Sequence, residues 1–114
     1  MDLTNLHLKE RALLYFAQFT AKNIGALNQM FSDDVWLQDW ENFAEGKDEV
    51  LEVYQKIFAG VEQIAVTPCL LYEDRNTIIA ELLISIDGKE RIKVVDILQF
   101  DEVGRIKTVK AYKG

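Results

Sequence analysis

Cysteine is nearly absent. Cys69 is the single one in 114 residues, so neither an internal disulfide nor a thiolate metal cluster can form, and a reducing, cytoplasmic location is expected. Dense groups of lysine and arginine are missing as well. With 13 basic against 19 acidic residues and a formal net charge of -6, the chain lacks the basic footprint that nucleic acid or an anionic membrane requires, and neither is an expected partner. Lys107, Lys110 and Lys113 are scattered among apolar residues and read as the solvated part of a strand. No apolar run approaches the roughly 20 residues of a bilayer span. The opening MDLTNLHLKERALLYF has neither the cationic start nor the unbroken apolar stretch of a secretion signal. Histidine is represented once, by His7, among polar neighbours where the first helix begins, and reads as a surface residue.

What remains is an ordinary globular composition, 49% hydrophobic and 28% charged. The length suits one domain over 1–114 that buries its own core. From Thr4 to about Lys22, Leu8, Ala12, Tyr15 and Phe19 recur at helical spacing, with Lys9, Glu10, Arg11 and Gln18 elsewhere on the wheel. A short second helix is expected from Ala26 to Phe31, stopped by Ser32, Asp33 and Asp34. A short strand follows, with Val35, Leu37 and Asp39 on one face and Trp36, Gln38 and Trp40 on the other. After a loop at Glu45 to Lys47, the stripe Val50, Leu51, Tyr54, Ile57 and Phe58 marks a third helix from Asp48 to Phe58, ended by Gly60.

Beyond Gly60 the period changes to two, in four runs near residues 62–72, 76–87, 90–100 and 105–112. The links Glu73 to Asn76, Asp87-Gly88 and Asp101 to Gly104 carry turn chemistry, so the strands form antiparallel hairpins in a meander. The expected fold class is α+β: three helices packed on a curved antiparallel sheet around an interior pocket.

The informative residues are polar groups on apolar faces, because such placement is costly unless something compensates it. Strict alternation puts Ile92, Val94, Asp96, Leu98 and Phe100 together, a face that is apolar except for Asp96. Asp39 likewise follows Val35 and Leu37. Tyr15 and Tyr54 sit in the apolar stripes of two different helices, each with a hydroxyl that needs a partner when buried. Four such groups pointing into one apolar interior make a small-molecule site. Taken singly, each has a plainer reading, as a core tyrosine or a turn aspartate.

These residues resemble the ketosteroid isomerases, within the broader NTF2-like or SnoaL-like superfamily. The resemblance covers nearly the whole chain: Tyr15 through MFSDDVWLQDW with Asp39, Tyr54 in LEVYQKIF, and Asp96 in VVDILQFDEVGRIKTVKAY. It implies a cone-shaped, cystatin-like fold and proton transfer next to a carbonyl, with Asp39 as general base. Tyr15 and a protonated Asp96 would donate to the oxygen that becomes an enolate, and Tyr54 would orient Tyr15. Neither metal nor cofactor is implied.

The expected partner is a small apolar carbonyl compound, and Glu81 and Lys110 are expected to add polarity to the pocket wall. A homodimer is expected through the outer sheet face, where Val95, Ile97, Val109 and Ala111 lie among charges. The alternative is a non-catalytic binding or interaction domain. Relatives that dehydrate or cyclise use a pocket histidine, and those that open epoxides use arginine-bridged aspartates; His7, Arg91 and Arg105 all fall outside the expected pocket face. Cys69, in an apolar strand with no histidine nearby in sequence, reads as a small buried hydrophobe.

Overall fold

The first helix, α1 (Leu8–Thr20), buries Ala12, Tyr15 and Phe16 against the sheet. The structure, a computed structural model, describes residues 7–114, so the expected start of α1 at Thr4 lies outside the described residues. The second helix, α2 (Ile24–Met30), begins where Asn23 Oδ1 accepts a hydrogen bond from the Ala26 amide, an ordinary N-cap. Strand β1 (Phe31–Gln38) follows without a break, four residues before its expected start. Ser32, Asp33 and Asp34 therefore lie within the strand, in a segment where its register shifts between Phe31 and Trp36. A three-residue β2 (Phe43–Glu45), not expected from the pattern, returns antiparallel to β1. Helix α3 (Lys47–Ala59) places Val50, Tyr54 and Phe58 inward.

The meander then runs as β3 (Ile64–Asp74), β4 (Thr77–Ile86), β5 (Glu90–Phe100) and β6 (Ile106–Lys113). The β4–β5 hairpin turns at Asp87 and Gly88, both at positive φ, the turn an Asp-Gly pair favours. Sheet order is β2-β1-β6-β5-β4-β3. The expected all-antiparallel sheet is corrected to a mixed one, because β1 runs parallel to β6. The two are joined only through α3 and the rest of the meander, and a connection that long permits parallel pairing where a tight turn does not.

Two β-bulges decide which side chains face inward. In β3, Pro68 opposes Leu82 while Leu70 opposes Glu81, which leaves Cys69 as the extra residue. Cys69 is consequently exposed, which corrects its expected burial. In β6, Thr108 opposes Gln99 while Ile106 opposes Phe100, so Lys107 is the extra residue. One inserted residue reverses every side chain beyond it. Val109 and Ala111, expected on the outer face, therefore point inward, and Lys110 lies outward, its Nζ 5.4 Å from the Trp36 ring centre. Glu81, in the outward row with Val95 and Tyr112, is likewise exposed.

Two cations tie the helices down. Lys22 Nζ donates to the carbonyls of Phe58, Val61 and Glu62 at 2.9, 2.6 and 3.0 Å. It thereby caps the end of α3 from the turn after α1, where a positive charge meets the helix dipole. Arg11, expected on the solvent side of α1, is instead buried, with its guanidinium over Gly104 and Nη1 donating to the Val103 carbonyl at 3.2 Å. A Cβ on Gly104 would fall 0.8 Å from that nitrogen, at a residue whose φ of +84° already disfavours side chains. Gly104→Ala is expected to cost about 2–3 kcal/mol, combining left-handed strain with displacement of a buried charged donor. Urea denaturation measures it, and a change within ~0.5 kcal/mol, typical of a bland surface site, would refute this account of the packing. No helix among the described residues is long and apolar enough to cross a membrane.

Candidate functional site

The curved sheet and the helices enclose a cavity of about 270 Å³. Tyr15 from α1, Tyr54 from α3, Asp39 just past the end of β1 and Asp96 from β5 all line it. The rest of its wall is largely apolar, with Phe16, Phe19, Leu37, Leu82, Val94 and Val109 prominent. Lining residues that are exposed, namely Trp40, Glu41, Glu90 and Lys113, mark the mouth, whereas Tyr15, Tyr54 and Asp96 belong to its buried depth.

The two tyrosine hydroxyls are hydrogen bonded to each other, and both side chains are buried. Aromatic rings hold them in place. The Phe31 ring lies 6.1 Å from that of Tyr15 and 5.6 Å from that of Tyr54, and Phe19 lies 5.5 Å from Tyr54. Such tilted and edge-on contacts restrict ring rotation. Burial, with the neighbouring Tyr54, Asp96 and Asp39 adding to it, holds Tyr15 well above the usual tyrosine range. Burial also pushes Tyr54 up, against the opposing effect of its bond to Tyr15. Both hydroxyls are therefore protonated, which suits them to donate.

Asp96 is 8% exposed. In the inward row it stands opposite Ala80 on β4 and Ala111 on β6, and these small neighbours leave open space beside its carboxyl. Burial first, and the charge of Asp39 second, push the Asp96 carboxyl up to about 7. The cause is loss of water around the charged form, and below that pH Asp96 is a neutral acid able to donate.

Asp39 is differently housed, partly exposed in a turn rather than within the expected strand. Its Oδ1 accepts from the amides of Glu41 and Asn42 at 2.8 and 2.6 Å, and the Asn42 Nδ2 spans both carboxylate oxygens at 3.2 and 3.1 Å. Every one of these contacts makes Asp39 an acceptor. The two aspartates thus differ chemically: one sits in apolar depth and keeps its proton to about 7, the other is hydrogen bonded near the mouth. Divergence of this kind separates an acid from a base.

Sequence reasoning missed Asn42, Glu41, Glu90 and Lys113. The segment Asp39-Trp40-Glu41-Asn42 carries the signal of an aspartate-initiated turn, which would have located Asn42. Glu90 and Lys113 reach the mouth only through hairpin geometry. His7 is exposed at the start of α1 and does not line the cavity, nor does Arg91 or Arg105; Arg105 pairs instead with Asp101 at 3.4 Å. Among the described residues, no three or more His, Cys, Asp or Glu side chains are grouped to hold a metal ion.

Three helices on a curved, mixed six-stranded sheet make this an NTF2-like fold. Residues 12–109 match the model of the SnoaL-like domain, and the chain belongs to that family. An NTF2-like protein of unknown function from Cytophaga hutchinsonii superposes with a TM-score of 0.82 at 14% identity, covering 97% of this chain and 93% of the other. The epoxide hydrolase/cyclase-like enzyme SalBIII, which acts in pyran ring formation in the polyether salinomycin, gives 0.82 at 16%, covering 94% and 90%. A protein from Kribbella flavida provisionally named a ketosteroid isomerase gives 0.79 at 17%, covering 94% and 77%. Identities this low speak for the fold alone. No curated protein matches the sequence.

Proposed function

We propose that this protein moves a proton on a small apolar carbonyl compound held in the cavity. Asp39 takes the proton from carbon next to the carbonyl and returns it further along the conjugated system. Tyr15 and neutral Asp96 donate to the oxygen as it gains enolate charge, and Tyr54 donates to Tyr15 so that the Tyr15 proton is free for the ligand. The observation that carries this reading is the convergence of two unlike aspartates and a buried tyrosine pair on one enclosed, mostly apolar space.

The test follows 3-cyclohexenone as it becomes its conjugated isomer, which absorbs in the ultraviolet. Turnover above the buffer rate supports the proposal, and none at any pH between 5 and 8 counts against it. A second reading has its own support. Asp39 accepts from two backbone amides and the Asn42 side chain, as an aspartate that only shapes a turn would. In that case the cavity binds a ligand without turnover.

Two further parts of the proposal concern the setting. An exposed free thiol at Cys69 suits a reducing cytoplasm. The outward sheet face, with Leu70, Tyr72 and Tyr112 each about half exposed beside Val95 and Ile97, suits pairing of two copies. Sedimentation is expected to give twice the chain mass of 13.1 kDa, and a species of single mass throughout the micromolar range would end the dimer proposal.

A further inference from the structure

The size and charge of the cavity restrict what it can hold, given the proton-transfer reading above. At about 270 Å³ it falls below the ~300–1,000 Å³ of clefts that take drug-sized guests, four-ring steroids among them. The depth has firm walls: Phe16, Leu37, Leu82, Val94 and Val109 are all buried core residues that pack against their neighbours. Trp40, adjoining Asp39, lines the cavity and is 43% exposed, so its indole stands at the rim where a longer ligand would emerge.

Charge narrows the choice further. Among the described lining residues the one lysine or arginine is Lys113, exposed at the mouth with Glu41 and Glu90. A carboxylate carried into the depth would meet Asp39 and Asp96 and no buried cation. An unpaired charge so placed is strongly disfavoured.

We infer that the ligand is an uncharged ketone or enone of one or two fused rings, its carbonyl directed at Tyr15 and Asp96, and that Trp40 excludes four-ring compounds. Phenols test this, because a phenol oxygen imitates the enolate. Calorimetry would compare 2-naphthol, the four-ring phenol equilenin and the carboxylated 6-hydroxy-2-naphthoate, on the natural protein and on Tyr15→Phe and Trp40→Ala.

The natural protein is expected to bind 2-naphthol at least ~10-fold tighter than equilenin, the scale on which pockets reject excess bulk. The carboxylated analogue is expected to lose at least ~10-fold through its unpaired charge. Trp40→Ala should raise affinity for equilenin relative to that for 2-naphthol, and an unchanged ratio overturns the role given to Trp40. Equilenin binding as tightly as 2-naphthol overturns the size limit, and unweakened binding of the carboxylated analogue overturns the charge limit. Tyr15→Phe separates the two levels. If it binds 2-naphthol as well as the natural protein does, the hydrogen-bonding reading of the site fails even where the ring-size order holds.

Discussion

Asp39→Asn is expected to slow the conversion of 3-cyclohexenone by about 10²–10⁴-fold, the usual contribution of a positioned general base. Asparagine keeps a carbonyl oxygen that can still accept from the amides of Glu41 and Asn42, so the turn survives the change. It cannot take up a proton at neutral pH. Affinity for 2-naphthol should therefore stay within a few-fold of the natural value while turnover collapses, and that split between rate and binding distinguishes a base from a residue that shapes the pocket. Natural turnover in the variant would remove Asp39 from the chemistry and favour the turn-forming role its local hydrogen bonds also allow.

Asp96→Asn is expected to stabilise the protein in neutral and alkaline solution and to have little effect in acid. The Asp96 carboxyl is raised from its ordinary value of 3.8 to about 7 by burial and, second, by Asp39. Between those two values the folded chain holds a proton that the unfolded chain has released. Stability therefore falls as pH rises through that window, and the full penalty is reached above about 7. At ~1.4 kcal/mol for each tenfold change, the penalty is on the order of 4 kcal/mol. Asparagine carries no charge to desolvate. Urea denaturation near pH 4 and near pH 8 should show the variant gaining up to about 4 kcal/mol on the natural protein between the two. An equal difference at both pH values would mean that Asp96 does not sit as a buried acid. The same variant is expected to lose oxyanion donation strength, so it would trade activity for stability.

Asp96 and both tyrosines could be picked out in the sequence because each interrupts an apolar stripe of plain period, whereas Asp39 was reached by extending the Val35 and Leu37 alternation past the end of its strand. Helical spacing located α1 and α3 to within a few residues in the described part of the chain, and the Asp87-Gly88 pair located a hairpin. What escaped was whatever depends on breaks in period or on distant pairing. Lys107 inserts into β6 and reverses Val109, Lys110 and Ala111, and Cys69 does the same kind of thing in β3; neither residue has a composition that announces a bulge. The parallel contact of β1 with β6 joins Phe31 to Ile106, and nothing local records it. Arg11 was assigned to solvent by its charge, although its long stem covers Gly104 and its head finds a carbonyl. Asp39 was placed in a strand, whereas its own hydrogen bonds to Asn42 build the turn that ends it.

The pairing of β1 with β6 also bears on the order in which the molecule is assembled. Of the six strands, β6 is synthesised last, yet it lies between β1 and β5 and joins the helical half to the meander. A nascent chain halted before Ile106 could form the hairpins of β3, β4 and β5, while β1 and β2 would have no sheet to join. Asp39 would then lack its place in a common cavity with Asp96, and Val109 and Ala111 would be missing from the wall. Contacts so far apart in sequence close late and slowly. The cavity is thus complete only once β6 has paired with both of its neighbours, and until then its future apolar lining is exposed to chaperones and to neighbouring chains.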